Sequence, residues 1–148
     1  MSNLFSMLEL SGSALSAERQ RAEVVAANMA NAETTRTSEG GPYRRKEVVF
    51  ASRNSSPFQL VFAGFHSLHG AAPPAVNVQN VVEDPTPPIM RYEPGHPDAN
   101  QDGYVAYPAI NPIQEMVDLM GASRAYALNA AAVNASKQMI TEAIDILK

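Results

Sequence analysis

Residues 111–148, NPIQEMVDLMGASRAYALNAAAVNASKQMITEAIDILK, decide the fold that the chain is predicted to adopt. Their apolar residues recur every three or four positions, which predicts an amphipathic α-helix. Asn111 can cap this helix with Pro112 at its first position. The predicted helix would be roughly 50 Å long. This is too long for a small domain to bury its whole stripe of apolar residues, called the seam below, so the seam must face another helix or another chain. The seam is predicted to contain Met116, Leu119, Ser123, Tyr126, Ala130, Val133, Lys137, Ile140, Ile144 and Leu147.

The N-terminal segment has a second amphipathic period. It predicts a helix from about residue 3 to about residue 32, with a coiled-coil-like seam. Glu18 interrupts this seam as Lys137 interrupts the other, and we predict that each finds a partner; their direct pairing requires one antiparallel register. The N-terminal seam is predicted to contain Leu4, Leu8, Ser11, Leu15, Glu18, Ala22, Val25 and Met29.

The segment between the helices is rich in turns and short strands. All 11 prolines lie from Pro42 to Pro112, and proline disrupts both helices and sheet interiors. The fold class is therefore α+β, with long terminal helices forming a coiled-coil-like layer and a small β-rich domain inserted between them. Three regions follow: helix 1–35, a loop and β-rich domain 36–110, and helix 111–148. The strand candidates are 43–51, 58–63, 76–83, 88–92 and 103–107.

Composition argues against several functional classes. The net charge is −4 with only 11 Lys and Arg, which leaves no electrostatic footprint for nucleic acid. The one basic run, Arg44–Lys46, is interpreted as a solvated strand end. The chain has no cysteine, which excludes disulfides and thiolate chemistry. No apolar run reaches the length of about 18 residues typical of a membrane span, so membrane insertion is not expected, and no cleaved signal peptide is evident.

Residues 98–103, DANQDG, match the first half of a calcium-binding EF-hand loop. Such a loop ends in a bidentate Glu at its twelfth position, where this chain has Ala109. Pro97 and Pro108 also oppose the flanking helices. An Asx turn in which Asp102 and Gly103 open a strand is the better interpretation.

No other motif predicts a catalytic or cofactor site. His66 and His69 have an H-x-x-H spacing, but no helix is predicted to align them and zinc would need further ligands. Nucleophile elbows, phosphate-binding loops and H-E-x-x-H motifs are absent from the sequence. We therefore expect no enzymatic activity, no cofactor and no metal.

Both terminal segments resemble the axial proteins of the bacterial flagellum. Ala30–Thr34 (ANAET) follows the first helix as the Ala-Asn-x-x-Thr-like motif does in that family, and the closing helix is similar too. Residues 34–46 and 84–108 resemble the proximal rod proteins of FlgC type in particular. The closing-helix likeness rests on Asn111, Pro112, Glu115, Met116, Leu119, Arg124, Ala125, Tyr126 and Asn129.

The resemblance implies a structural subunit of the proximal rod in the flagellar basal body. Such a subunit polymerises through its terminal helices, forms part of the drive shaft and export-channel wall, and serves motility. It is exported by the flagellar type III apparatus without a cleaved signal peptide and lies in the periplasm. The implied partners are further copies of itself, the rod proteins FlgB and FlgF, and the adaptor FliE.

The residues expected to mediate assembly come from the seams and the family motifs. Two alternatives stay open: a monomeric helical-hairpin adaptor with a β insert, or another axial subunit of rod or hook. Asn28–Asn31 could also simply end a helix, and Tyr126 could be ordinary core. The expected assembly residues are Leu4, Leu8, Leu15, Glu18, Val25, Asn28, Met29, Asn31, Met116, Leu119, Arg124, Tyr126, Asn129, Val133, Ile140 and Ile144.

Overall fold

A computed structural model describes residues 2–53 and 75–146 of the chain. Along the chain, a long helix comes before and another after the strands of two small two-stranded sheets, which confirms the predicted α+β class. The strand predicted at 58–63 and the histidines at 66 and 69 lie outside the described residues. The elements are α1 (Ser2–Ala30), β1 (Lys46–Arg53), β2 (Ala75–Glu83), β3 (Ile89–Tyr92), β4 (Tyr104–Tyr107) and α2 (Pro112–Ile146).

The helix ends follow from local hydrogen bonds. Ile113 N donates to Asn111 Oδ1 at 3.0 Å, and α2 begins at Pro112, so the predicted cap is confirmed. At the other junction α1 ends at Ala30, and the side-chain amide of Asn31 donates to Ala27 O at 2.8 Å. The Asn111 side chain thus satisfies an N–H that the helix itself leaves open, and the Asn31 side chain adds a second bond to Ala27 O, which also accepts from Asn31 N at 3.1 Å.

The β3–β4 hairpin is antiparallel, with Ile89 opposite Tyr107 and Tyr92 opposite Tyr104. Alternation along the strands gives it two faces. Val105 and Tyr107 are buried on one face. The exposed Met90 belongs with Tyr92 and Tyr104 to the other face. The hairpin thus contributes one strand face to the core.

The predicted Asx turn leads into β4. Asn100 Oδ1 accepts from Asp102 N at 3.0 Å and from Tyr104 N at 2.8 Å. Gly103 has φ +80°, a left-handed conformation that glycine adopts without steric cost. The turn interpretation of DANQDG is confirmed.

Asp98, the first residue of that stretch, joins the turn to the segment after α1. Thr35 Oγ1 donates to Asp98 Oδ2 at 2.8 Å, and Arg36 Nη1 lies 3.6 Å from Oδ1. Within 2–53 and 75–146, no group of three or more His, Asp or Glu is placed to hold a metal ion. The carboxylate of Asp98 therefore serves as a tie between two loops.

The chain divides into two compact units. The first contains the described residues of Met1–Arg19, Phe50–Gln79 and Ser123–Lys148, and the second contains Gln20–Val49 and Asn80–Ala122. Each helix contributes residues to both units. The three-part domain division predicted from the sequence stays a prediction.

The described core is small. In the first unit, Ala17 and Ala75 are its buried apolar residues among those the structure describes, and in the second these are Val25, Val105, Tyr107, Ile110 and Ala122. Three of the four largest fully buried side chains among the described residues are polar: Glu115, Asn28 and Ser136. Among the described helices, none has an apolar stretch long enough to cross a bilayer.

We predict that Gly103→Ala destabilises the hairpin. A Cβ at this position would lie 2.9 Å from Tyr92 Cε2 and 3.2 Å from Pro94 Cβ. Together with the positive φ, this should lower the free energy of unfolding by about 1–3 kcal/mol, measured by urea denaturation. Gly95→Ala is the matched control, because a Cβ there meets nothing within 4 Å. Equal stability of the two variants would contradict the argument.

Candidate assembly site

Asn28 is the most deeply buried polar residue of the second unit, with 0% of its surface exposed. Its Nδ2 donates to Lys46 O at 2.9 Å and to Glu115 Oε2 at 3.0 Å. Its Oδ1 accepts from Lys46 N at 2.9 Å and from the Tyr43 hydroxyl at 3.2 Å. All four hydrogen-bonding positions of the amide are occupied. The side chain imitates a peptide group beside the first residue of β1 and also reaches α2.

Glu115, in the first turn of α2, contacts the buried amide of Asn28. Its carboxylate is 1% exposed, and besides the bond from Asn28 it accepts from Arg45 Nε at 2.6 Å. Removing a carboxylate from water is costly unless the charge is paired and hydrogen-bonded. The guanidinium of Arg45 and the amide of Asn28 meet this condition, one on each carboxylate oxygen.

Arg45 is the centre of a wider charge network. It forms an ion pair with Glu47, and its Nη1 and Nη2 lie 4.0 Å from Asp84 Oδ2 and 3.9 Å from Asp118 Oδ2. Burial lowers the pKa of the guanidinium. The hydrogen bond that Arg45 donates to Glu115 and the neighbouring negative charges outweigh that effect, so the pKa of Arg45 lies above its ordinary value.

The interpretation of Arg44–Lys46 as a solvated strand end is wrong for Arg45. Arg44 and Lys46 are exposed, but Arg45 is half-buried against Glu115. The reason is that Arg45 and Glu115, 70 residues apart, neutralise each other within the unit. A short basic run does not reveal such a partner.

Tyr43 closes the cluster from the loop before β1. Its hydroxyl donates to Asn28 Oδ1 at 3.2 Å. Burial raises the pKa of this hydroxyl, and the negative charges of Glu83 and Glu115 raise it further. The phenol therefore stays a donor. We call Asn28, Tyr43, Arg45 and Glu115 the polar cluster.

The two asparagines after the first seam have different roles. Asn31 bonds to Ala27 O and accepts from Thr34 Oγ1 at 3.2 Å, as expected for a residue that ends a helix. Asn28 instead makes contacts across the unit. The helix-ending interpretation therefore holds for Asn31 and fails for Asn28.

The other expected assembly residues of α1 are buried or half-buried wherever their side chains are described. Val25 is buried. The side chain of Leu4 lies outside the described residues. The half-buried members of the set on or just after α1 are Leu8, Leu15, Glu18, Met29 and Asn31. The pairing of Glu18 with Lys137 stays a prediction.

The apolar seam predicted on α2 is largely outside the buried stripe. Met116 is 53% exposed, Tyr126 45% and Ile144 53%, so Tyr126 is not ordinary core of this chain. The buried positions are Glu115, Ala122 and Ser136, one residue before seam positions. Because each residue advances a helix by about 100°, the buried stripe of α2 lies about 100° away from the predicted seam. The other expected assembly residues of α2 are the half-buried Leu119, Asn129, Val133 and Ile140 and the exposed Arg124.

A larger group of exposed apolar side chains follows from this placement. Small and polar side chains occupy the buried stripe of α2, and large ones remain accessible. Besides Met116, Tyr126 and Ile144, the exposed large apolar residues of α2 include Ile113, Val117, Met120, Leu128, Met139 and Ile146. We call these nine residues the exposed apolar set of α2.

Comparison with known proteins matches both ends of the chain to flagellar rod families. A family model described as "Flagella basal body rod protein" matches residues 8–36, and one described as "Flagellar basal body rod FlgEFG protein C-terminal" matches residues 101–146. A protein of Bacillus subtilis named flagellar basal-body rod protein FlgC is 41% identical, with 97% of this chain and 98% of that protein covered. The chain belongs to the FlgC family.

Other FlgC proteins match over the same extent. The Borreliella burgdorferi protein is 38% identical, with 98% of both chains covered, and the Salmonella typhimurium protein is 36% identical, with 97% of both covered. The predicted resemblance is thereby confirmed. The polar cluster spans both matched ends, since Asn28 lies in the first matched range and Glu115 in the second.

Most of the polar cluster could not be identified from the sequence. Glu115 was singled out only for its resemblance to the family's closing helix, and Tyr43 and Arg45 were not candidates. The available signal was a charged residue next to the seam position Met116. Such a residue requires a partner if it is buried.

We predict that Glu115→Gln lowers stability more than Asp118→Asn. Both carboxylates lie on α2 near Arg45, but Glu115 is buried and bonded at 2.6 Å, whereas Asp118 is half-buried and 3.9 Å away. Losing a charged partner in a buried bond should cost about 2 kcal/mol. The looser pair should cost less than about 1 kcal/mol. Urea denaturation of both variants measures the difference, and the reverse ranking would contradict the assigned roles.

Proposed function

We propose that this protein is a structural subunit of the proximal rod of the flagellar basal body. It polymerises through α1 and α2 to form part of the drive shaft and of the channel wall through which later subunits are exported. The observation that carries the proposal is the exposed apolar set of α2, on a chain whose relatives are named rod proteins over nearly their whole length.

The physical support is the exposure of side chains that normally lie inside proteins. Large apolar side chains gain about 1.5–3 kcal/mol each from full burial. Nine of them stand exposed on one helix, while the described core of each unit is small. Large apolar side chains exposed in such number on one element indicate a protein interface. Packing against neighbouring subunits supplies the burial that the single chain does not.

The finer assignments follow from the family resemblance. We propose that the partners are further copies of the chain, the rod proteins FlgB and FlgF, and the adaptor FliE. The flagellar type III apparatus would deliver the subunit to a periplasmic position without a cleaved signal peptide. Such a role requires complementary surfaces and no catalytic group, cofactor or metal. Locating the chain in isolated basal bodies by electron microscopy tests this position.

We predict that Ile140→Asp combined with Ile144→Asp abolishes motility. Ile144 is exposed and Ile140 half-buried in the chain, so the two charges stay accessible to water until assembly. Burying an unpaired carboxylate at a subunit contact costs several kcal/mol, comparable with the stability of a whole domain. Swimming in soft agar and electron microscopy of basal bodies measure the effect in a strain lacking the natural gene.

Asn134→Asp combined with Gln138→Asp is the matched control. Both residues are polar and exposed on α2 and have the same four-residue spacing, but they lie on a different side of the helix from Ile140 and Ile144. This control should retain near-normal swimming. Normal swimming of the isoleucine variant would contradict the rod function and favour a monomeric adaptor.

A further inference from the structure

We propose that the buried Asn28–Glu115 bond determines the register of α1 against α2 within the second unit. The bond favours one position of α1 along α2 over positions shifted by one helical turn. Its contribution to the total stability is secondary. Its use in assembly rests on the proposed function above. The register itself is a property of the single chain.

Apolar contacts do little to select the register here. Among the described residues of Gln20–Ala30 and Pro112–Ala122, the buried apolar side chains are Val25 and Ala122. Ala122 offers only a methyl group, and a small side chain tolerates a slide by one helical turn, about 5.4 Å, with little change in packing. Specificity must come from groups that accept only one partner position.

Asn28 and Glu115 are such groups. A slide by one turn toward the start of α1 places Val24 or Val25 opposite Glu115. Carboxylate oxygen Oε2 then loses the donor that Asn28 supplies at 3.0 Å. A slide in the other direction brings up Asn31, which lies beyond the end of α1 at Ala30 and whose amide is already bonded to Ala27 O. A buried acceptor without its donor disfavours the shifted state by about tenfold or more.

The bond to β1 extends the same constraint to a third element. The amide of Asn28 that donates to Glu115 also holds the peptide of Lys46 through two bonds of 2.9 Å. A shift of α1 would break these bonds together with the bond to Glu115. Buried polar side chains elsewhere fix helix register in this way, even where apolar replacements leave the protein equally stable.

The test removes both polar partners at once. The full-length variant Asn28→Leu with Glu115→Met fills a similar space and removes the donor and the acceptor of this bond together, while the peptide of Lys46 loses its two bonds to Asn28 and Arg45 loses its bond to Glu115. Spin labels are attached at Gln20→Cys and Gln114→Cys, which are exposed positions in the second unit of a chain without natural cysteines. Double electron–electron resonance then reports the distance between the labels.

The chain with the intact bond should give one narrow distance. In the double variant a second distance should appear, with the two populations within about threefold of each other instead of differing by about tenfold or more. A single unchanged distance in the variant would overturn the proposal. So would the lack of a single distance in the chain with the intact bond.

Two further variants separate register from general damage. Glu115→Gln should keep the single distance, because its amide oxygen still accepts from Asn28; a second distance there would overturn the role of this bond. Asn134→Leu with Glu142→Met makes the same chemical change at exposed positions of α2 and should also keep one distance. A second distance in this control would show that the effect is not specific, and would equally overturn the proposal.

Swimming of the double variant tests the link to assembly separately. Loss of swimming together with a shifted register supports both the register and its use in the rod. Normal swimming with a shifted register would refute that use and leave the register assignment intact. The spin-label result requires no rod, so failure of the proposed function would not be mistaken for failure of the bond.

Discussion

The second unit depends on a buried amide that has no spare hydrogen-bonding capacity. Asn28 joins α1 to the peptide of Lys46 and to the carboxylate of Glu115. Glu115 in turn holds Arg45, which is surrounded by further carboxylates. Each group is tolerable in the interior only because the next one satisfies it. The polar cluster therefore unites two helices that are far apart in sequence.

The elements that follow local rules could be predicted from the sequence. The apolar period and the Asn111–Pro112 cap defined α2, and the spacing of Asn100, Asp102 and Gly103 defined a turn. Each of these signals lies within a few neighbouring residues, so no knowledge of the remaining chain was needed. The family resemblance rested on longer motifs and was also confirmed.

The face that each helix buries could not be predicted in the same way. An apolar period shows which side of a helix avoids water, but not whether the same chain or another molecule covers it. Met116 and Glu115 are adjacent in sequence, and the polar one is buried. Glu115 is hydrogen-bonded to a residue 87 positions away in the sequence, and a pair so far apart produces no periodic pattern from which it could be predicted. A small, polar interior combined with accessible apolar side chains is understandable for a subunit that completes its packing among neighbours.

The peptide-like position of Asn28 has a consequence for sheet edges. β1 pairs only with β2 among the described strands, so within that part of the chain no other strand covers its second edge. Edges of this kind promote unwanted strand addition and aggregation. At Lys46 the side chain of Asn28 occupies both the N–H and the C=O. The first residue of β1 is therefore already bonded by Asn28, and an incoming strand would have to displace that amide to pair at Lys46.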